Sequence, residues 1–142
     1  MGIILDSGFL FSLVSRQDDR HAAAKETFTV VDWNQRAPVV VPSTVIVETI
    51  TLAMYRTKGH PVVLAHLEEL FWGQNMFFRI KPVLVENYKE IVEMMRKLTE
   101  PGRFFSFTDA SIVFTARKNS INEIVTFDSH FEGLLFNCVA GS

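Results

Sequence analysis

The chain has 142 residues, of which 48% are apolar and 21% charged. That length suits one domain, 1–142, with a core that needs no covalent staples, and the composition excludes a disordered chain. A net charge of −2 excludes a protein that coats nucleic acid by charge alone. Cys138 is the only cysteine, so no disulfide framework is available, which fits a reducing cytoplasm. No apolar run approaches the roughly 20 residues of a membrane span. The opening Met1-Gly2-Ile3-Ile4-Leu5-Asp6 lacks the basic segment and cleavage site of a secretory signal, and Asp6 stands where a myristoylation motif needs Ser or Thr. The expectation is a soluble cytoplasmic domain.

Gly2 to Leu5 is a short apolar run, suited to a strand buried on both faces. After Asp6-Ser7-Gly8, the residues 9–14 read as a helix, 16–19 as a polar turn, and 21 to about 32 as a second helix. Pro38 to Pro42 is a second buried strand. Ser43 is expected to cap a helix over about 44–56, stopped by Lys58-Gly59. Pro61 suits the first turn of a helix through about Phe71. Residues 77–82 alternate apolar and basic, as an edge strand does. Glu86 to Leu98 is a helix with Tyr88, Ile91, Val92 and Met95 on one apolar stripe. A turn at 100–103 precedes a helix over 106–119, a strand over 123–126 and a short last strand over 136–140. Gly141-Ser142 reads equally as native sequence or as a cloning remnant. This alternation predicts an α/β fold: a central, mainly parallel sheet covered by helices on both faces.

Ligands of such a sheet bind beyond the carboxyl ends of its strands. Asp6 closes the first strand and Asp128 follows the strand over 123–126. Glu48 lies mid-helix in the apolar stretch Val45 to Ile50. Asp109 shares a helical face with Ile112, Val113 and Ala116. Three of these acids have a local reading as helix caps, and Ser106-Phe107-Thr108-Asp109 fits a reciprocal capping box. Glu48 has no such reading. Four carboxylates converging on one sheet edge repel one another by several kcal/mol unless a counter-charge is present. An all-oxygen set suits Mg²⁺ or Mn²⁺.

The motifs resemble those of the PIN-domain ribonucleases over nearly the whole chain. They occur in order: an apolar strand into Asp6-Ser7, a strand followed by Ser43 and Val47-Glu48, then Ser106 to Ala110, then Thr126-Phe127-Asp128-Ser129-His130-Phe131. The resemblance implies a Rossmann-like α/β/α sandwich with the acids around Mg²⁺ or Mn²⁺, and cleavage of single-stranded or structured RNA. Many small members are VapC-type toxins of toxin–antitoxin pairs, which implies a homodimer and a protein antitoxin. Three positions depart from the pattern. Gly8 stands where many members carry a polar residue, His130 where some add another acid, and Phe105 where Leu is usual.

Within that resemblance Asp6 and Asp109 are expected as direct metal ligands. Asp128 and Glu48 hold a second ion, or position water and accept its proton. Thr126 and Ser7 are expected to hydrogen-bond those waters. Without the four acids, fourteen basic residues face twelve acidic ones, a balance compatible with a modest RNA groove. Arg16, Arg20, Lys58 and Arg103 are the candidate phosphate contacts. His21, His60, His66 and His130 lack a zinc-binding spacing and are expected at the surface or in the core. Phe71-Trp72 and Phe77-Phe78 suit the core first and a subunit interface second. The competing reading is a PIN-like module that binds RNA or protein without cutting it.

Overall fold

The computed structural model describes residues 1–74 and 76–140; Gly141-Ser142, the possible cloning remnant, lies outside them. Strand β1 (Ile3–Leu5) leads into helix α1 (Ser7–Val14), and α2 (His21–Val30) follows. Strand β2 (Val39–Pro42) runs directly into α3 (Ser43–Thr57), then α4 (Pro61–Trp72) and strand β3 (Arg79–Lys81). A 3₁₀ turn (Val85–Asn87) opens α5 (Tyr88–Leu98), followed by α6 (Phe107–Lys118) and β4 (Glu123–Val125). A second 3₁₀ turn (Ser129–Phe131) precedes the two-residue β5 (Phe136–Asn137), shorter than the expected 136–140.

The strands form one sheet in the order β3-β2-β1-β4-β5, and all four pairings are parallel. Successive strand residues point to opposite faces, yet Ile3, Ile4 and Leu5 are all fully buried. Both faces are therefore covered by helices. Strand β3 has exposed Arg79 and Lys81 on the sheet edge, as its alternating pattern required. The strand expected from Gly2 begins at Ile3 instead, because Gly2 has φ +126° and a side chain there would meet Ile121.

This order positions the site. The chain winds outward from β1 through β2 to β3, then returns to place β4 on the other side of β1. The crevice where the winding reverses lies at the carboxyl ends of β1 and β4, the usual ligand position in an open parallel sheet.

Other local expectations are corrected. Ser43 does not cap α3; it is the first helical residue, and its hydroxyl accepts from Val83 N–H at 2.8 Å. Helix α2 stops at Val30, and Asp32 instead accepts from Gln35 N–H in the next turn. The α5 stripe is only partly used. Ile91 is buried against Ala110 and Phe114 of α6, while Tyr88 and Val92 remain exposed. Phe71, Phe77 and Phe78 pack with the core, which leaves Trp72 as the exposed member of the two aromatic pairs.

Candidate metal centre

Asp6 is the first residue beyond β1, and its own N–H still bonds Val125 O of β4. The side chain caps α1 by accepting from Ser7 N–H at 2.7 Å, and its other oxygen accepts from Thr126 Oγ1 at 2.6 Å. Thr126 Oγ1 in turn accepts from Asp128 N–H at 2.9 Å. One hydroxyl therefore fixes the carboxyl end of β1 to the turn after β4. Asp128 caps that turn, accepting from His130 N–H at 2.9 Å.

Asp109 is buried in the first turn of α6. The capping box is present: Asp109 N–H donates to Ser106 Oγ at 3.1 Å, and Ser106 N–H donates to Asp109 Oδ2 at 3.2 Å. Glu48 reaches the crevice from the middle of α3, where its Oε1 accepts from Ser7 Oγ at 2.8 Å. The capping and the site readings thus hold at once. Three of the acids satisfy helix-end N–H groups with one face of the carboxylate and still converge with the others.

The acids act on one another electrostatically. The Asp6 carboxyl is raised from 3.8 to about 7, chiefly by burial and also by the Asp109 and Glu48 charges, against the lowering bonds from Thr126 and Ser7 N–H. Burial also raises Asp109, against the Ser106 backbone bond and with the charges of Asp128 and Glu48. Among the described residues, the ion pairs made by these four acids run only to His130. No lysine or arginine relieves the crowding.

His130 is the residue that spacing analysis missed. Its Nδ1 lies 3.2 Å from Asp128 Oδ2 and 3.7 Å from Asp109 Oδ2. One ligand atom from each of Asp109, Asp128 and His130 falls within 4.8 Å of the others, the one such group among the described residues, and Asp6 and Glu48 lie outside it. The available signal was its place two residues after Asp128. Ser7 Oγ donates to Glu48 and Thr126 Oγ1 donates to Asp6, so both residues lie against the carboxylates.

The basic residues separate clearly. Arg103 donates from Nε and Nη2 to His130 O at 2.9 and 2.5 Å and from Nη2 to Glu132 O at 2.7 Å. Its guanidinium lies over the Phe105 ring, so it braces the turn that carries His130. Arg20 is exposed, stacks over Phe127 and lines a cavity of about 460 Å³ with Gly8, Ser12, Asp18, Asp19 and Arg56. Arg16 and Lys58 are exposed.

A wholly parallel α/β sheet with carboxylates gathered at its switch point defines a class of acidic-site proteins. Within that class, the model of the PIN domain family matches residues 3–134, and the chain belongs to this family. Its structure is similar to that of VapC20 from Mycobacterium tuberculosis, described as a sarcin-ricin loop cleaving toxin. The two share 26% identity at a TM-score of 0.77, covering 97% of this chain and 98% of that one. FitAcB from Neisseria gonorrhoeae has 19% identity and a TM-score of 0.63, covering 96% of this chain and 97% of that one. FitAB bound to a DNA fragment has 17% identity and a TM-score of 0.66, covering 96% and 94%. No curated protein matches the sequence significantly. Among the described residues no helix is long and apolar enough to cross a membrane.

Proposed function

We propose that the protein is a metal-dependent endoribonuclease that hydrolyses RNA phosphodiester bonds in the cytoplasm as the toxin of a toxin–antitoxin pair. The observation that carries the nuclease reading is the gathering of Asp6, Glu48, Asp109 and Asp128 with no ion pair to a lysine or arginine among the described residues. The likeness to VapC20, a sarcin-ricin loop cleaving toxin, supports the toxin role and with it a protein antitoxin. A homodimer belongs to the same reading. Light scattering that finds only monomer at micromolar concentration would remove it.

The residues present fit a divalent cation. Buried carboxylates that hold one another's protonation up are a set that a cation relieves, and His130 Nδ1 is a buried nitrogen without a hydrogen bond. Asp109, Asp128 and Asp6 would hold Mg²⁺ or Mn²⁺, with Glu48 beside them. When bound, the ion supplies an acidified water and neutralises charge developing on the phosphate. The chain's own part is positional. Thr126 and Ser7 N–H fix both oxygens of Asp6, so this carboxylate cannot rotate away from the crevice. Ser7 Oγ holds Glu48 by Oε1, which leaves Oε2 to accept a proton from the attacking water. Arg20, stacked on Phe127 beside the crevice, can meet a neighbouring phosphate of the strand.

The test is cleavage of total cellular RNA by the purified protein. Fragments are expected with Mg²⁺ or Mn²⁺ and none in EDTA. Equal cleavage in EDTA would remove the metal. Binding of RNA without fragments in either ion would favour the module that binds without cutting.

A further inference from the structure

His130 is held more firmly than a surface histidine needs to be. Its N–H donates to Asp128, its carbonyl accepts from Arg103, and its ring packs against Phe105 at 5.9 Å. These contacts aim Nδ1 between the Oδ2 atoms of Asp128 and Asp109, at 3.2 and 3.7 Å. Nδ1 is nonetheless buried without a hydrogen bond to either carboxylate. A protonated ring pairs with the two carboxylate oxygens, whereas a neutral ring with its lone pair on Nδ1 is repelled by them unless a cation lies between. Donors on adjacent corners of an octahedron with bonds of roughly 2.1 Å stand about 3 Å apart, close to the spacing seen here.

We propose that His130 Nδ1 is a nitrogen ligand of the metal centre and shifts its preference from Mg²⁺ toward Mn²⁺ and heavier transition ions. The inference rests on the metal-dependent reading above and adds a donor to it. Mg²⁺ favours oxygen and gives up its water reluctantly, whereas imidazole suits the later first-row ions, whose affinity rises from Mn²⁺ to Ni²⁺. The other three histidines do not compete for this role. His21 Nδ1 lies 2.7 Å from Ser12 O, His60 Nδ1 accepts from Val62 N–H at the start of α4, and His66 sits on α4 itself.

The experiment uses the whole protein stripped with EDTA and dialysed, titrated calorimetrically with Mg²⁺, Mn²⁺ and Ni²⁺, as wild type, His130→Phe and His130→Asn. Phe keeps a ring against Phe105 and Asn keeps a small polar group, and the melting curve of each variant reports its folding. Both variants are expected to lose at least about tenfold in Ni²⁺ affinity and less than about threefold in Mg²⁺ affinity. In parallel, electron spin echo spectra of Mn²⁺ bound to wild type should show nitrogen modulation that both variants lack. Equal losses for Mg²⁺ and Ni²⁺, or bound Mn²⁺ without nitrogen modulation in wild type, would overturn the inference and leave the metal centre standing. Wild type that binds none of the three ions would overturn the metal-dependent reading together with it.

Discussion

Asp109→Asn is expected to lose at least about a hundredfold in the rate of RNA cleavage while staying folded. The two parts of this result have separate causes. Asn keeps an oxygen that can accept from Ser106 N–H and the backbone N–H that donates to Ser106 Oγ, so both arms of the capping box survive. What disappears is the charge that a cation needs. Burial holds the Asp109 pKa above its ordinary value, so removing that charge also relieves a desolvation cost. The melting temperature at pH 7 should therefore stay level or rise while activity falls. A loss of both together would mean that the box, and not the charge, was broken. Full activity in a folded variant would remove Asp109 from the site.

Asp6→Asn should move stability and metal response in opposite directions. The folded-state pKa of Asp6 is about 7 against an ordinary 3.8, so between these values the native state holds a proton that the unfolded chain releases. Stability from this group is then fully present at low pH, falls as pH rises from about 4, and is lost above about 7, a cost of about 4 kcal/mol. Asn carries no charge and accepts the Ser7 N–H bond equally well. The metal-free variant should melt higher than wild type at pH 8 and close to it at pH 4. Mn²⁺ at a hundred times its dissociation constant should stabilise wild type by about 2.7 kcal/mol, provided the unfolded chain does not bind it. The variant should show a smaller gain at the same Mn²⁺ concentration. Melting curves of both proteins at the two pH values, with and without Mn²⁺, check this; equal metal shifts would mean that Asp6 serves only as a cap.

Much of the fold was legible along the chain because its causes are local. Apolar runs at 3–5 and 39–41 can be buried only inside a sheet covered on both faces, and both became central strands. The Ser106–Asp109 box needs only residues three apart, and it formed as the pattern required. The alternation of strand and helix carried the parallel sheet, and an acid one step beyond a parallel strand carried the position of the crevice.

What the tertiary structure alone decided involves residues far apart in sequence. Ser43 lost its expected cap to Val83, forty positions away. Ser7 met Glu48 across forty-one positions and Thr126 met Asp6 across one hundred and twenty, so these hydroxyls fix the carboxylates at the crevice. Arg103, a candidate phosphate contact by local reading, donates to the carbonyls of His130 and Glu132. The same turn swung His130 onto Asp109 and Asp128. Caps and periodicity depend on backbone geometry within about one helical turn, and the sequence determines these by itself. Which polar groups meet at the end of β1 depends on β4 arriving beside it after six α-helices and two strands, and only the packed sheet order decides that.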